Sequence, residues 1–196
     1  MNLREHDTSD GMKVWLSEED TTVLLDAASD TEKEIAFALA VRCGLRSSEI
    51  LDVAPEHVVE TDAGTMLVVP TGKGDKYRET PIPTALAKQI QTVDDMRDAN
   101  SDEPIISVTT TQSLRNWMQN VREQLAEDHD DDRWLEVSFH DLRRTWATSL
   151  ASSDVDPLIV CDWGGWSDLE TFLDHYRGVY SPEAQRRERG KVNWLA

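Results

Sequence analysis

Apolar positions follow a helical period at the two ends of this sequence and a strand period between them. The first helix is expected to begin at Ser17, whose hydroxyl can cap it, with Asp20 at the third helical position. A second, more apolar helix ends at Gly44. A third is expected from about Ser47, again with the hydroxyl as cap, to Val53. This part of the chain is therefore predicted to be helical.

From Val58 the pattern changes to three short β-branched runs, divided by an Asp-Ala-Gly turn and by Gly72-Lys73-Gly74-Asp75. These runs predict a small three-stranded antiparallel sheet. The second turn lies at a hairpin tip, from which Lys73, Lys76 and Arg78 are expected to project. A solvated turn is the alternative interpretation of these cations.

After Pro83 the helical period returns in two amphipathic helices. Their expected core faces are Leu86, Ile90, Val93 and Met96 in one, and Leu114, Trp117, Met118, Val121 and Leu125 in the other. An acidic loop is predicted from Ala126 to Arg133. Three further helices are expected around Phe139, Pro157 and Leu169, and a last one from Pro182 to Trp194. The predicted fold class is α+β, mainly α-helical, in one domain.

Size and composition limit the class of protein further. At 196 residues the chain suits one domain, expected at residues 14–196, preceded by an arm at residues 1–13 that lacks a periodic apolar pattern. No apolar run is long enough to span a bilayer, so a soluble, cytoplasmic protein is expected. Cys43 and Cys161 lie far apart in apolar surroundings, which predicts buried free thiols and not a disulfide or zinc site.

The charge balance is unusual, with 38 acidic and 20 basic residues and a formal net charge of −18. Such a charge argues at first against a nucleic-acid partner. The acids are nevertheless spread along the whole chain, and the basic residues are mainly arginine, a pattern that suggests a high-salt cytoplasm. The Debye length is about 3 Å in molar salt, so only close contacts would then count. Net charge alone therefore does not exclude DNA.

Three segments carry candidate functional residues. In the first, Arg46 follows Gly44 at a helix start and can be held by Glu49, although a surface ion pair would look the same. In the second, His140 and Arg143 share one helical face at positions i and i+3. In the third, a Gly-Gly pair precedes Trp166 and permits close approach of backbone or ligand.

Taken in order with the lysine hairpin, these segments resemble the tyrosine recombinase (phage integrase) family over residues 14 to 194. The acidic form resembles short integrase-like proteins of halophilic archaea. The resemblance implies the family's catalytic-domain fold and maps its active-site pattern onto Arg46, Lys73, His140, Arg143, Trp166 and Tyr176.

The resemblance also implies a chemistry for each of these residues. Tyr176 would attack a DNA phosphorus, giving a 3′-phosphotyrosyl link and a free 5′-hydroxyl, while Arg46 and Arg143 hold the non-bridging oxygens. Lys73 would protonate the leaving 5′-oxygen, and His140 would assist proton transfer from the tyrosine.

In the same comparison Trp166 would donate its indole N–H to the phosphate. The implied partner is double-stranded DNA, bound by a homotetramer on paired sites. Because the bond energy is kept in the phosphotyrosyl link, no nucleotide cofactor is needed, and the arginines replace metal ions. Neither a small-molecule substrate nor a membrane is expected.

Two departures from the family leave alternatives open. Tyr176 lies ten residues after Trp166, one more than is usual, so Tyr180 stays a second candidate nucleophile, as Lys76 does for the lysine. The family's N-terminal helical domain has no counterpart here, which predicts a minimal form or a partner that completes it. A catalytically silent DNA-binding accessory protein, a type IB topoisomerase-like activity and, least favoured, a metal-dependent nuclease are the competing functions.

Overall fold

A computed structural model describes residues 1–5, 11–69, 77–97, 100–176, 182–192 and 194, with the backbone alone at residues 171, 174–176 and 182–185. The strands and helices come in groups along the chain. In the part of the chain that the structure describes, two strands and three α-helices are followed by three strands and then by six α-helices. Their order is β1 (Asn2–Glu5), β2 (Met12–Trp15), α1 (Glu18–Asp26), α2 (Thr31–Cys43), α3 (Ser47–Ile50), β3 (Val58–Thr61), β4 (Gly64–Val69), β5 (Arg78–Pro81), α4 (Thr84–Met96), α5 (Thr111–His129), α6 (Phe139–Ser152), α7 (Pro157–Gly164), α8 (Leu169–Tyr176) and α9 (Pro182–Gly190). Two short 3-10 helices lie at Pro55–His57 and Asp132–Glu136. The mainly helical α+β fold class is thus confirmed.

The predicted three-stranded sheet is present, in the order β3-β4-β5 with both pairs antiparallel. Val58 pairs with Leu67 in the first hairpin, and Val69 pairs with Arg78 in the second. Leu67 and Val69 are buried against the helical core. These two residues, which lie on one face of β4, therefore pack the sheet against the helices.

The segment predicted to be an arm is folded onto the domain in its described part. Asn2–Glu5 forms β1, which pairs antiparallel with β2, with Leu3 opposite Val14. Leu3 packs against the core, and the terminal ammonium lies 2.7 Å from the Asp20 carboxylate. The strand was not predicted because its mostly exposed, polar residues give no periodic apolar pattern. Its pairing with β2 is what makes this segment a strand.

The core is built around α2, whose residues from Ile35 to Val41 are all buried. A helix that is apolar on all sides belongs in the interior. α2 packs on α6, where the rings of Phe37 and Phe139 lie 5.6 Å apart. A second apolar cluster lies beneath α6, α7 and α8 and includes Phe172. The first half of α6 thus packs into one cluster through Phe139 and Leu142, and its second half into the other through Trp146 and Ala147.

Helix ends show where the sequence-based expectations were right and wrong. Ser17 caps α1 with Asp20 in the predicted reciprocal capping box. Ser47, however, is the first residue of α3 and not its cap; Arg46 occupies the cap position, and its backbone N–H donates to Glu49 Oε2 at 2.6 Å. The prediction failed because the glutamate side chain takes over the capping role.

Two other helix ends and one expected core residue differ from the prediction. α5 continues through the expected acidic loop to His129 and ends at Asp130, whose φ of 48° is left-handed. The predicted loop was misjudged because its acids lie on the solvent side of a regular helix. Met96, expected in the core, is the last residue of α4 and is exposed, and α9 ends at Gly190 and not at Trp194.

Cys43 and Cys161 are buried free thiols, as predicted. Among the helices that the structure describes, none combines the length and the apolarity required to cross a bilayer.

Candidate active site

Arg46 stands at the start of α3, directly after the turn made by Gly44 and Leu45. Gly44 ends α2 with a φ of 70°, a left-handed conformation that favours glycine. The Arg46 Nη1 donates to Glu49 Oε1 at 2.6 Å, so the predicted pairing is confirmed. Arg46 is 42% exposed while Glu49 is only 4% exposed. The pair is therefore a buried carboxylate that holds an exposed guanidinium, and not an ordinary surface ion pair.

Arg78, at the start of β5, is the main site residue that sequence reasoning misplaced. It was expected to project from the hairpin, but it is buried and donates Nη1 and Nη2 to the two oxygens of Glu49 at 2.7 and 2.8 Å. Strand alternation was the available signal, because Arg78 and Thr80 lie on the same face as the buried Ile82. The ion pair supplies the counter-charge that makes this burial possible.

The electrostatics of Glu49 reflect its two arginine partners. Burial raises the pKa of this carboxyl, but the hydrogen bonds and positive charges of Arg78 and Arg46 lower it further, so the pKa lies below its ordinary value. Glu49 is accordingly a stable anion at neutral pH.

Arg143 reaches the same turn from α6. Its side chain is buried, and its guanidinium donates to two backbone carbonyls, that of Gly44 through Nη1 and that of Gly164 through Nη2 at 2.6 Å. The start of α6 is itself held by a capping box between Ser138 and Asp141. The guanidinium plane is therefore set by groups from α2, α6 and α7.

The ring of Trp166 lies against the guanidinium of Arg143. The Arg143 Cζ lies 4.3 Å from the centre of the Trp166 ring, a cation–π geometry. The Trp166 ring stacks on Trp146 with centroids 6.1 Å apart and contacts Phe172 at 5.1 Å. Arg143 is thus held between backbone carbonyls and an aromatic stack.

The Gly164-Gly165 pair permits this packing, as expected for close approach. A Cβ placed on Gly164 would lie 1.8 Å from Trp166 Cζ3, and one on Gly165 would lie 2.8 Å from Arg78 Cδ. Gly165 also has a left-handed φ of 67°. The approaching groups are Trp166 and Arg78, so these glycines make room for the side chains of the candidate site.

The two proposed phosphate-binding arginines meet at this turn. Arg143 donates to the carbonyl of Gly164, and Arg46 Nη2 lies 3.4 Å from the carbonyl of the next residue, Gly165. The two guanidiniums therefore contact the carbonyls of consecutive residues. Arg46 and Arg78 both contact the Glu49 carboxylate, so the cluster comprises three cations and one carboxylate. The cluster therefore has an excess of positive charge, which suits an anionic ligand.

The remaining predicted site residues are described unequally. His140 and Arg143 both lie in α6, three positions apart, which is the spacing of residues on one helical face. His140 is exposed there, and Arg143 is buried. Tyr176 is the last residue of α8, where the backbone alone is described. Lys73, Lys76 and Tyr180 lie outside the described residues.

Sequence reasoning also missed a set of hydrogen bonds that fasten β2 to α6. The N–H of Val14 donates to Asp141 Oδ1 at 3.0 Å, and that of Leu16 donates to Thr145 Oγ1 at 3.0 Å. Asp141 additionally pairs with Arg144 in a buried ion pair. These bonds join residues more than 120 positions apart and fix the helix that carries His140 and Arg143.

Within the described part of the chain, no group of three or more His, Cys, Asp or Glu side chains is arranged to hold a metal ion. The positive charge at the site comes from arginine.

Comparison with known proteins gives consistent results. The phage integrase family matches residues 14–182. The tyrosine recombinase XerA of Thermococcus kodakarensis is 30% identical over 179 residues, which cover 90% of this chain and 62% of XerA. XerA of Pyrococcus horikoshii is 26% identical, with 80% of this chain and 54% of the relative covered. The chain thus spans less than two thirds of these relatives.

Solved structures show the same fold. The crystal structure of XerA recombinase superposes with a TM-score of 0.74 at 22% identity, covering 94% of this chain and 66% of that one. The Tn1549 transposon integrase in complex with transposon right end DNA gives a TM-score of 0.69 at 17% identity, covering 96% of this chain and 68% of the integrase.

Proposed function

This chain belongs to the phage integrase family of tyrosine recombinases, and we propose that it breaks and rejoins DNA strands at specific sites through a 3′-phosphotyrosyl intermediate. The observation that carries the proposal is that Arg143 and Arg46 donate hydrogen bonds to the carbonyls of two consecutive residues, Gly164 and Gly165. Two planar guanidiniums that donate to the carbonyls of consecutive residues suit the non-bridging oxygens of a phosphodiester.

In the proposed first step the Tyr176 oxygen attacks phosphorus while the bond to the 5′-oxygen breaks. The phenolic proton leaves with the help of His140, and the departing 5′-oxygen takes a proton from Lys73. In the second step a 5′-hydroxyl from another strand attacks the phosphotyrosyl link and releases Tyr176. Each step exchanges one phosphoester for another, so no energy source is consumed.

Arg46 and Arg143 would stabilise the charge that develops on the pentacoordinate phosphorus. The two arginines are prepared for this task in different ways. Arg143 is buried between carbonyls and the Trp166 ring, whereas Arg46 is the more exposed cation, held from behind by Glu49. Trp166 supports Arg143 from below and is also proposed to donate its indole N–H to the phosphate.

The proposed partner is double-stranded DNA, bound by a homotetramer on paired sites in the cytoplasm. The Tn1549 integrase and the XerH recombinase, whose folds are similar, were both solved with DNA. The net charge of −18 leads us to propose that the protein acts in concentrated salt, where the repulsion between acids and phosphates is screened at short range.

The proposal is tested with nicked duplexes selected by binding from a randomised library in molar KCl. A covalent protein–DNA adduct should form, survive denaturing electrophoresis and be insensitive to a chelator. The chain has three tyrosines, so each is replaced in turn as Tyr77→Phe, Tyr176→Phe and Tyr180→Phe.

Only Tyr176→Phe should abolish the adduct. Tyr77, which is exposed at the base of the hairpin, serves as the matched control. Loss of the adduct in Tyr180→Phe alone would transfer the nucleophile to that residue. Specific binding without any adduct would instead favour a silent DNA-binding accessory protein.

A further inference from the structure

We propose that Arg78 is a positioning residue of the active site, acting through Glu49 on Arg46. The proposal rests on the function proposed above, in which Arg46 binds the phosphate. Arg78 would not touch DNA itself; it would fix the carboxylate that in turn fixes the exposed guanidinium.

The sharing of Glu49 is the first observation. Its Oε1 accepts from Arg46 Nη1 at 2.6 Å and from Arg78 Nη1 at 2.7 Å. Its Oε2 accepts from the Arg46 backbone N–H at 2.6 Å and from Arg78 Nη2 at 2.8 Å. Each oxygen therefore serves both arginines, and the bidentate fork of Arg78 sets the plane in which Arg46 is held.

The burial of the three groups indicates the direction of control. Arg78 is 7% exposed and Glu49 4%, whereas Arg46 is 42% exposed. The two buried groups are held inside the protein, and the exposed guanidinium of Arg46 is accessible to a ligand. Arg78 is accordingly the residue that fixes Glu49, and Arg46 is the residue proposed to contact the phosphate.

A third hydrogen bond links Arg78 to the end of α7. Its Nε donates to the carbonyl of Trp163 at 3.0 Å, and its Cδ lies against Gly165. The turn that follows Trp163 supplies the carbonyls of Gly164 and Gly165 to which the two phosphate-binding arginines donate. One side chain of β5 therefore holds both the acid behind Arg46 and the turn that faces it.

Arg78→Lys separates this role from the presence of charge. A lysine ammonium is a point charge that cannot bond both carboxylate oxygens and the Trp163 carbonyl in one fixed geometry. Glu49 would rotate and Arg46 would shift with it. Since misplacement by about 1 Å can cost on the order of 100-fold in rate, adduct formation should slow by about that factor.

The matched control is Arg97→Lys. Arg97 also donates to two backbone carbonyls, those of Pro104 and Glu103, both at 2.7 Å, and pairs with a carboxylate, Asp94. It lies at the end of α4 and makes none of the contacts that build the arginine cluster. Arg97→Lys should leave the rate of adduct formation within about twofold of the parent, because among the described residues Arg97 contacts none of the arginine cluster and distant sites act independently.

A double-mutant cycle then tests whether Arg78 acts through Arg46. Single-turnover adduct formation is measured at saturating protein, below the melting temperature of every variant, for Arg78→Lys, Arg46→Lys and the pair. In the Arg46→Lys background Arg78→Lys should cost less than about threefold, because the guanidinium it positions is already gone. The same cost in both backgrounds would overturn the proposal and leave Arg78 a general stabilising residue.

A second measurement does not depend on catalysis. The NMR signals of the Arg46 guanidinium, assigned by their loss in Arg46→Lys, report slow rotation about the Cζ–Nε bond when that group is held by a carboxylate. Arg78→Lys should abolish the slow rotation, and Arg97→Lys should retain it. Unchanged Arg46 signals in Arg78→Lys would refute the positioning role. An absent adduct in the parent protein would refute the proposed function and leave this measurement to decide on Arg78.

Discussion

Replacing Glu49 by Gln removes one negative charge from the centre of the arginine cluster and preserves the shape of the side chain. Arg78 would then remain buried with its bidentate partner neutralised. Removing one member of a buried ion pair typically costs about 3–5 kcal/mol, because the other charge stays desolvated and uncompensated. For a chain of this size, 1 kcal/mol corresponds to about 2–4 °C, so the melting temperature should fall by about 6–20 °C.

The pH dependence gives this prediction a sharper test. Burial raises the pKa of Glu49, and its arginine partners lower it further, to below the ordinary value of 4.5. A carboxyl with a depressed folded-state pKa stabilises the protein above the unfolded-state pKa and loses that contribution as the pH falls through the folded value. The difference in unfolding free energy between parent and Glu49→Gln should therefore be fully present at neutral pH and shrink below about pH 4.5.

Denaturant unfolding at constant high salt, followed by tryptophan fluorescence between pH 7 and pH 3.5, measures this difference. Glu34→Gln is the matched control, because Glu34 accepts a hydrogen bond from the neutral Gln89 at 2.9 Å and forms no arginine pair in the described structure. Its cost should stay within about 1.5 kcal/mol, as for an ordinary hydrogen bond. Equal costs for the two variants, or a Glu49 effect that does not vary with pH, would refute the electrostatic account of the cluster.

Two further predictions concern the phosphate clamp and the charge of the chain. Arg143→Lys should abolish adduct formation while reducing DNA binding much less, because an ammonium cannot reproduce the guanidinium geometry between the Gly44 and Gly164 carbonyls; near-normal turnover would remove Arg143 from the clamp. The melting temperature should rise from dilute buffer to molar KCl, because 38 carboxylates repel one another when unscreened. A melting temperature that is flat or falls over this range would contradict the high-salt interpretation.

Features encoded by short spacings were predictable from the sequence. The Ser17–Asp20 capping box and the Arg46–Glu49 pair each span three residues, so helical geometry alone brings the partners together. The apolar interior of α2 followed in the same way from its composition. Such features need no knowledge of the tertiary structure.

Contacts between distant segments were not predictable in this way. Arg78 and Glu49 are 29 residues apart, and Val14 and Asp141 are 127 apart. Nothing in the local pattern of either segment specifies its partner, because the pairing depends on how β5, β2 and α6 pack together. The strand β1 escaped prediction for the same reason, since its pairing with β2 and not its own composition makes it a strand.

These contacts also bear on how an acidic protein could form the proposed site for phosphate. The chain as a whole has a net charge of −18, yet Arg46 and Arg78 share the Glu49 carboxylate, and Arg46 and Arg143 donate to the carbonyls of Gly165 and Gly164. Two of these cations are buried, where their field is screened less by salt than the field of surface acids is. For the proposed function, rising salt should therefore weaken the repulsion between the acidic surface and DNA more than the attraction at the site, so that in concentrated salt the affinity for a phosphodiester should depend on the local cluster more than on the net charge.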